Sequence, residues 1–236
     1  MKQTGIIMQK FLTKRILTFY WIVLLVHCVF QFYVLPYRAV TKPLLVPLLL
    51  TYLLLQDGNI GKPLGKSMFY IGLFLAFFGD VLLIIINDTF LLSGMIAFML
   101  MNIFYSISFL SLNKLRAQNI LSFLLTVIIL LFIGFAIYRF LGDEMGDYRM
   151  PIMIYLFTLS PMIAFAVNVV WNKQHKKVAL TYLVPGALIF MIENILIAFN
   201  WFHWGGDKNV YVLVMITYGT AQYLMVKGIL KVYPSV

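Results

Sequence analysis

Two acidic residues, Asp80 and Glu193, lie within long apolar stretches of the sequence, where an ionised side chain is costly. The first belongs to FFGDVLLIII (77–86) and the second ends GALIFMIE (186–193). Acidic residues at membrane depth usually face a bundle interior or a wet cavity, and they are functional candidates by default. Two carboxyl groups in one poorly solvated site rarely ionise together, so one can donate a proton while the other stabilises a cation. The pair therefore predicts acid–base chemistry.

Six more polar residues in the apolar stretches are candidates for binding a ligand near the two acids. They are Lys42, Asn102, Tyr105, Asn194, Tyr218 and Gln222. Residues three or four apart in a helix lie on one face, which pairs Tyr218 with Gln222. The same rule pairs Asn102 with Tyr105.

The depth of these residues in the predicted helices allows a single cluster. At a rise of about 1.5 Å per residue, Asp80 and Glu193 both lie roughly 10 Å below the outer ends of their helices. Tyr218 lies at a similar depth, and Lys42 enters its helix at the level of Asp80. A cluster of the acids, the lysine, the tyrosines and Gln222 in the outer half of the bundle is therefore geometrically possible.

Each of these residues also has a purely structural interpretation. Asp80 and Lys42 can form a buried ion pair that fixes the register of two helices. Buried amides such as Asn102, Asn194 and Gln222 often serve as hydrogen bonds between membrane helices. These alternatives stay open at the level of the sequence.

Elsewhere the sequence offers no comparable candidate for a site. His27 has no second histidine at ligand spacing on its helix, which favours a core histidine over a metal ligand. The acidic stretch LGDEMGDYRM (141–150) is typical of a solvated loop, with calcium binding as the alternative. We find no Walker loop, GxGxxG, HExxH or GxSxG motif.

The composition predicts the elements that must hold these residues. Of the 236 residues, 63% are hydrophobic and 11% are charged, and the mean hydropathy is +0.96. About 20 apolar residues cross a bilayer as a helix, and runs of that length recur along the chain. We predict an all-α, polytopic transmembrane bundle of about eight helices, forming a single domain over residues 1–236. The predicted spans are roughly 16–35, 43–56, 67–86, 90–111, 119–140, 150–171, 178–200 and 210–230.

The basic charge of the chain is explained by membrane topology. The formal net charge is +10, and most of the 18 Lys and Arg residues lie in segments on the same side as the N-terminus. Cytoplasmic loops collect these residues, so both termini are predicted to be cytoplasmic and no nucleic-acid partner is expected. Cys28 is the only cysteine, which excludes an intrachain disulfide. The N-terminal apolar run lacks a cleavage site and is predicted to be an uncleaved first span.

Four stretches of the sequence carry a pattern that extends over nearly the whole chain. They are AVTKPLLVPLLLTYLL (39–54), FFGDVLLIIINDTFLLSGMIAFMLMNIFYSISF (77–109), YLVPGALIFMIENILIAFNWF (182–202) and VLVMITYGTAQYLMVKG (212–228). In order, they resemble the YhhN-like membrane proteins, the lysoplasmalogenase family. The best-defined pieces are Lys42-Pro43, Gly79-Asp80, Gly186 with an acid seven residues later, and Tyr218 with Gln222. The resemblance implies an eight-helix bundle that hydrolyses the vinyl ether bond of lysoplasmalogens to a fatty aldehyde and a glycerophospho-ethanolamine or -choline.

That reaction suits the residues identified above. Protonation of the carbon–carbon double bond gives an oxocarbenium ion, water adds to it, and the hemiacetal collapses to the aldehyde. The resemblance implies that Asp80 and Glu193 handle the proton and the cation, while Lys42 holds the substrate phosphate or pairs with an acid. No metal or organic cofactor is required. The side chains expected to orient the headgroup or the water are Tyr105, Tyr218 and Gln222.

The sequence departs from the family pattern at two places. The fourth span of the family has a histidine three residues before its tyrosine, where this chain has Asn102, and an amide is neither an acid nor a base at neutral pH. The seventh span of the family has Ser-Asp where this chain has Glu193-Asn194, which moves the acid about 100° around its helix. The first change favours an alternative function, a lipid-binding member with altered or no catalysis. A small-solute or proton-coupled transporter that uses the two carboxylates is the third interpretation.

The resemblance also implies the surroundings of the protein. The expected partners are a lysophospholipid substrate, which enters sideways from the bilayer, and the bilayer itself. A homo-oligomer is compatible with such a bundle. Because the chain is compact and has no targeting extension, we expect an integral protein of a bacterial cytoplasmic membrane.

Overall fold

The computed structural model describes residues 2–56, 63–85 and 87–233. Over these residues the chain is all-helical, which confirms the predicted fold class, and it contains eight long helices. The third helix ends earlier than predicted because residues 83–85 form a turn, and residue 86 lies outside the described residues. The helices are α1 (Lys2–Phe32), α2 (Arg38–Leu55), α3 (Leu64–Leu82), α4 (Asp88–Leu112), α5 (Ala117–Leu141), α6 (Arg149–Asn168), α7 (Val184–Phe202) and α8 (Lys208–Val232).

The helices are long and apolar enough to cross a membrane. Among the described residues, seven helical segments meet this condition by length and composition, and one of them is Ala117–Trp171. That segment is folded back at the 3₁₀ helix Gly142–Tyr148, where Gly142 and Gly146 both have φ of +49°. Glycine adopts such a conformation without the clash of a side chain. The segment therefore holds both α5 and α6, which pack against each other.

The outward face of the bundle is apolar. Phe132 is 73% exposed and Leu121 is 66% exposed, although both are large hydrophobic residues. In water such a surface would be an aggregation hazard, whereas lipid tails solvate it. The arrangement fits an integral, multi-pass membrane protein.

Glycines let α3 and α4 approach closely near the residues predicted to form the site. A Cβ added at Gly72 of α3 would lie 2.6 Å from the Tyr105 ring of α4. One added at Gly79 would lie equally close, 2.6 Å, to the ring of Phe98. Small residues at helix contacts are the usual means of close packing in membranes. The two aromatic rings of α4 thus lie directly against the backbone of α3.

The last helix, α8, begins at a side-chain cap. Asp207 Oδ1 accepts hydrogen bonds from the backbone N–H groups of Asn209 at 2.8 Å and Val210 at 3.1 Å. These N–H groups have no partner within the helix, so the cap satisfies them. The same two bonds lower the pKa of the Asp207 carboxyl, because they favour its ionised form.

Three asparagines join α4, α5 and α6 at the end of the bundle opposite Asp80. We call Asn113, Asn119 and Asn168 the asparagine cluster. Asn168 Nδ2 donates to the Asn113 carbonyl at 2.7 Å, and Asn113 Nδ2 donates to the Asn168 carbonyl at 2.8 Å. Asn119 Nδ2 donates to Asn168 Oδ1 at 2.8 Å. This cluster fixes the start of α5 to the neighbouring helix ends.

Candidate functional site

Asp80 lies in the core, in contact with side chains from two other helices. Its side chain is 1% exposed. The Tyr218 hydroxyl of α8 donates to Asp80 Oδ2 at 2.7 Å, and Lys42 Nζ of α2 lies 3.7 Å from Asp80 Oδ1. Oδ1 has no hydrogen-bond partner among the described residues. The structure thus brings together three of the residues predicted from the sequence, with Oδ1 held only by the longer contact to Lys42.

A buried tyrosine of α1, not identified from the sequence, supports this cluster. Tyr20 is 1% exposed, and its hydroxyl donates to the Gly219 carbonyl at 2.7 Å. Gly219 follows Tyr218, so this bond fixes the turn of α8 that carries the Asp80 partner. The position of Tyr20 in an apolar stretch rich in aromatic residues gave no signal that it differs from its neighbours.

Tyr105 and Gln222 form a second pair, one turn further along α8. The Tyr105 hydroxyl donates to Gln222 Oε1 at 2.9 Å, and Gln222 Nε2 lies 3.6 Å from Met101 Sδ. The Tyr105 ring stacks on Phe69 with centroids 4.4 Å apart and an interplanar angle of 7°. Tyr105 is therefore held rigidly, and the expected shared face of Tyr218 and Gln222 is present.

Asn102 and Tyr105 contact different neighbours, although they lie only three residues apart on α4. The Asn102 amide is fully buried, and neither Nδ2 nor Oδ1 makes a hydrogen bond among the described residues. The amide approaches the hydroxyl of Tyr155 on α6 without the geometry of a hydrogen bond. The pairing predicted from spacing thus places the two residues near each other, but on different helix–helix contacts.

Glu193 and Asn194 line a lateral cavity bounded by α4, α5, α6 and α7. The cavity has a volume of about 140 Å³, and most of its lining side chains are apolar. Asn194 Nδ2 donates to Glu193 Oε2 at 3.0 Å and to the Phe190 carbonyl at 2.8 Å. Glu193 is 8% exposed, so its carboxyl is reached mainly from this cavity. A mostly apolar cavity with a few polar groups is typical of a small-molecule or lipid site.

Two aromatic side chains of the cavity wall lie close to Tyr218, the hydrogen-bond partner of Asp80. Phe98 and Phe190 both line the cavity, whereas Asp80 does not. The centroid of the Tyr218 ring lies 6.2 Å from that of Phe98 and 6.5 Å from that of Phe190. Tyr218 therefore lies next to both Asp80 and two of the side chains that line the cavity.

The remaining polar candidates have local partners. His27 Nδ1 lies 2.8 Å from Thr41 Oγ1. In the acidic loop, Glu144 Oε2 lies 2.9 Å from His203 Nδ1 and Asp143 Oδ1 accepts from Arg149 at 2.9 Å. Within the described part of the chain, no three histidine, cysteine or acidic residues are grouped as a metal site requires.

Most of the chain matches the model of a known protein family. A family model described as the YhhN family matches residues 37–229, which is more than half of the chain. The matched region contains all eight candidate site residues. No curated protein and no solved structure matches the chain.

Proposed function

Because the chain belongs to the YhhN family, we propose that it is a membrane hydrolase that cleaves the vinyl ether bond of lysoplasmalogens. The products are a fatty aldehyde and a glycerophospho-ethanolamine or -choline. The observation that carries this proposal is the pair of buried carboxyl groups, Glu193 on an apolar cavity and Asp80 bonded to Tyr218 beside two of the cavity-lining rings. A lipid enters such a cavity from the side. Its apolar chain then exchanges contacts with the bilayer for contacts with the apolar cavity wall.

In this mechanism, Glu193 is the proton donor. Its carboxyl lines the cavity, so a vinyl ether bound there meets it directly. The proton adds to the double-bond carbon remote from oxygen, and the other carbon becomes part of an oxocarbenium ion. Water then adds to that carbon and returns a proton to the Glu193 carboxylate. The hemiacetal collapses by breaking its carbon–oxygen bond, and the released glycerol oxygen takes up the hydroxyl proton. One water is consumed and Glu193 is regenerated.

Asp80 stabilises the positive charge that develops during this step. Its carboxyl accepts a hydrogen bond from Tyr218 and lies beside the Lys42 amine. A negative charge held in a poorly solvated interior acts more strongly on a developing cation than it would in water. Lys42 keeps a 20% exposed side chain, so it also stands ready to attract the substrate phosphate.

The test is aldehyde release from lysoplasmenylethanolamine by the purified full chain in detergent. We expect release by the wild type and its loss in Asp80→Asn and Glu193→Gln. Asp147→Asn is the matched control, because Asp147 lies exposed in the outer loop. Folded wild-type protein that releases no aldehyde would refute the hydrolase assignment.

Asn102 favours a second candidate function, a lipid-binding protein without turnover. An amide at this buried position cannot exchange protons as a histidine would. Tight binding of a lysolipid without aldehyde release would support this candidate, whereas aldehyde release by the wild type in the same assay would exclude it.

A further inference from the structure

Three uncharged polar side chains meet where α4 faces α6 and α7. We call Asn102, Tyr155 and Asn194 the polar recess. The amides of Asn102 and Asn194 both approach the hydroxyl of Tyr155. Tyr155 and Asn194 line the cavity, whereas Asn102 does not, so the recess begins at the cavity wall and extends toward α4. Nothing in the sequence singled out Tyr155, because its role depends on which helix packs against α4.

The unpartnered amide of Asn102 indicates that the recess is built to hold something. An asparagine side chain offers two donors and an acceptor oxygen with two lone pairs, and burying them unused is costly. Here both polar atoms are buried without a hydrogen bond among the described residues. Buried polar groups in folded proteins are generally satisfied by protein, by ordered water or by a ligand. The adjacent cavity of about 140 Å³ provides room for either water or a ligand.

The charges around the recess select a neutral group. Its three members carry no formal charge, and the Glu193 carboxyl accepts a hydrogen bond from Asn194 at 3.0 Å. A phosphate placed there would face that acid and an apolar wall, which makes its desolvation costly. A hydroxyl both donates and accepts, and it therefore matches the amide and the phenol.

We propose that the polar recess binds a neutral hydroxyl, either the free glycerol hydroxyl of a lysolipid or a water molecule. The proposal rests on the proposed function, in which the substrate carries such a hydroxyl on the carbon beside the ether-bearing one. A hydroxyl held by Asn102 and Tyr155 brings the ether next to Glu193, the sequence neighbour of Asn194. Tyr155 and Asn102 are thus positioning residues, which act by orienting the reacting bond.

The test uses a saturated alkyl-ether lysophosphatidylethanolamine, which has no vinyl group and is not cleaved by this chemistry. Its binding to the purified full chain in detergent is compared with that of the same lipid methylated at its secondary hydroxyl. The variants are Tyr155→Phe and Asn102→Leu. Tyr138→Phe is the matched control, because Tyr138 lines the same cavity outside the recess.

We expect the wild type to prefer the free hydroxyl by on the order of tenfold, about the value of one hydrogen bond to a buried group. Tyr155→Phe and Asn102→Leu should abolish this preference, while Tyr138→Phe keeps it. A preference that persists in both recess variants would overturn the proposal, because other residues would then bind the hydroxyl.

The melting temperature of lipid-free protein separates water from lipid as the occupant. If the wild type has no preference but Asn102→Leu melts lower, the recess holds water and the proposal stands in that form. If there is no preference and Asn102→Leu melts at or above the wild type, the amide is unused and the proposal fails. Neither measurement depends on turnover, so absence of aldehyde release would refute the hydrolase alone.

Discussion

Removal of the Tyr218 hydroxyl isolates the contribution of one hydrogen bond to the Asp80 carboxylate. In Tyr218→Phe the ring keeps its neighbours Phe98 and Phe190, and only the 2.7 Å bond to Asp80 Oδ2 is lost. Asp80 Oδ1 already lacks a hydrogen-bond partner among the described residues, so the carboxylate would retain only the Lys42 amine at 3.7 Å.

The size of the effect follows from the charge and burial of the pair. A hydrogen bond to a charged group contributes about 1.5–3 kcal/mol to stability. A tenfold change in rate corresponds to about 1.4 kcal/mol. If Asp80 acts on the developing cation, Tyr218→Phe should slow aldehyde release by about 10- to 100-fold and also lower the melting temperature.

The assay is aldehyde release under saturating lysoplasmenylethanolamine, run beside thermal unfolding in the same detergent. Tyr223→Phe is the control, because Tyr223 lies on the same helix and is only partly buried, against the Trp21 ring. A Tyr218→Phe variant that matches this control in both rate and melting temperature would show that the bond to Asp80 contributes neither to catalysis nor to stability.

Further predictions concern close packing, the ion pair and the cap of α8. Gly72→Ala would place a methyl group 2.6 Å from the Tyr105 ring. We therefore expect the free energy of unfolding to fall by about 1–3 kcal/mol, measured as a lower melting temperature. An unchanged melting temperature would mean that the two helices can move apart without cost. Lys42→Met should leave the buried Asp80 carboxylate uncompensated and lower both stability and activity, while Lys42→Arg retains part of each. Asp207→Ala should lower the melting temperature at neutral pH, and the difference from wild type should disappear in acid. The sign follows from the lowered pKa of the Asp207 carboxyl: its stabilisation is present above the ordinary value of 3.8 and is lost as the pH falls through the lower folded value. A difference that grows in acid would contradict this reasoning.

The sequence predicted those parts of the site that depend on depth along a helix. Counting residues from the helix ends placed Lys42 and Asp80 at one level, and they form an ion pair. Helical spacing placed Tyr218 and Gln222 on one face of α8. Tyr218 bonds Asp80 of α3, and Gln222, one turn later, bonds Tyr105 of α4. Rise and rotation per residue are nearly constant, so these inferences carry over from sequence to structure.

What the sequence did not specify is which helices are neighbours. Asn102 was paired with Tyr105 by spacing, yet its amide approaches Tyr155 because α4 packs on α6. The rings of Phe98 and Phe190 line the cavity beside Tyr218, yet both are ordinary apolar residues in the sequence. Hydropathy identifies helices that cross a membrane, but it assigns them no partners, since lipid and protein interior are almost equally apolar.

The asparagine cluster and the cavity lie toward opposite ends of α5. Asn119 holds the start of α5 through its bond to Asn168, while the last turns of the same helix border the cavity. Over its 25 residues, α5 buries little else, namely Leu130, Gly134 and Leu141. Most of the remaining surface of α5 is therefore covered by lipid and not by protein, and the same helix supplies one wall of the cavity. The acyl chains of the bilayer thus pack against the outer face of a helix whose inner face lines the cavity.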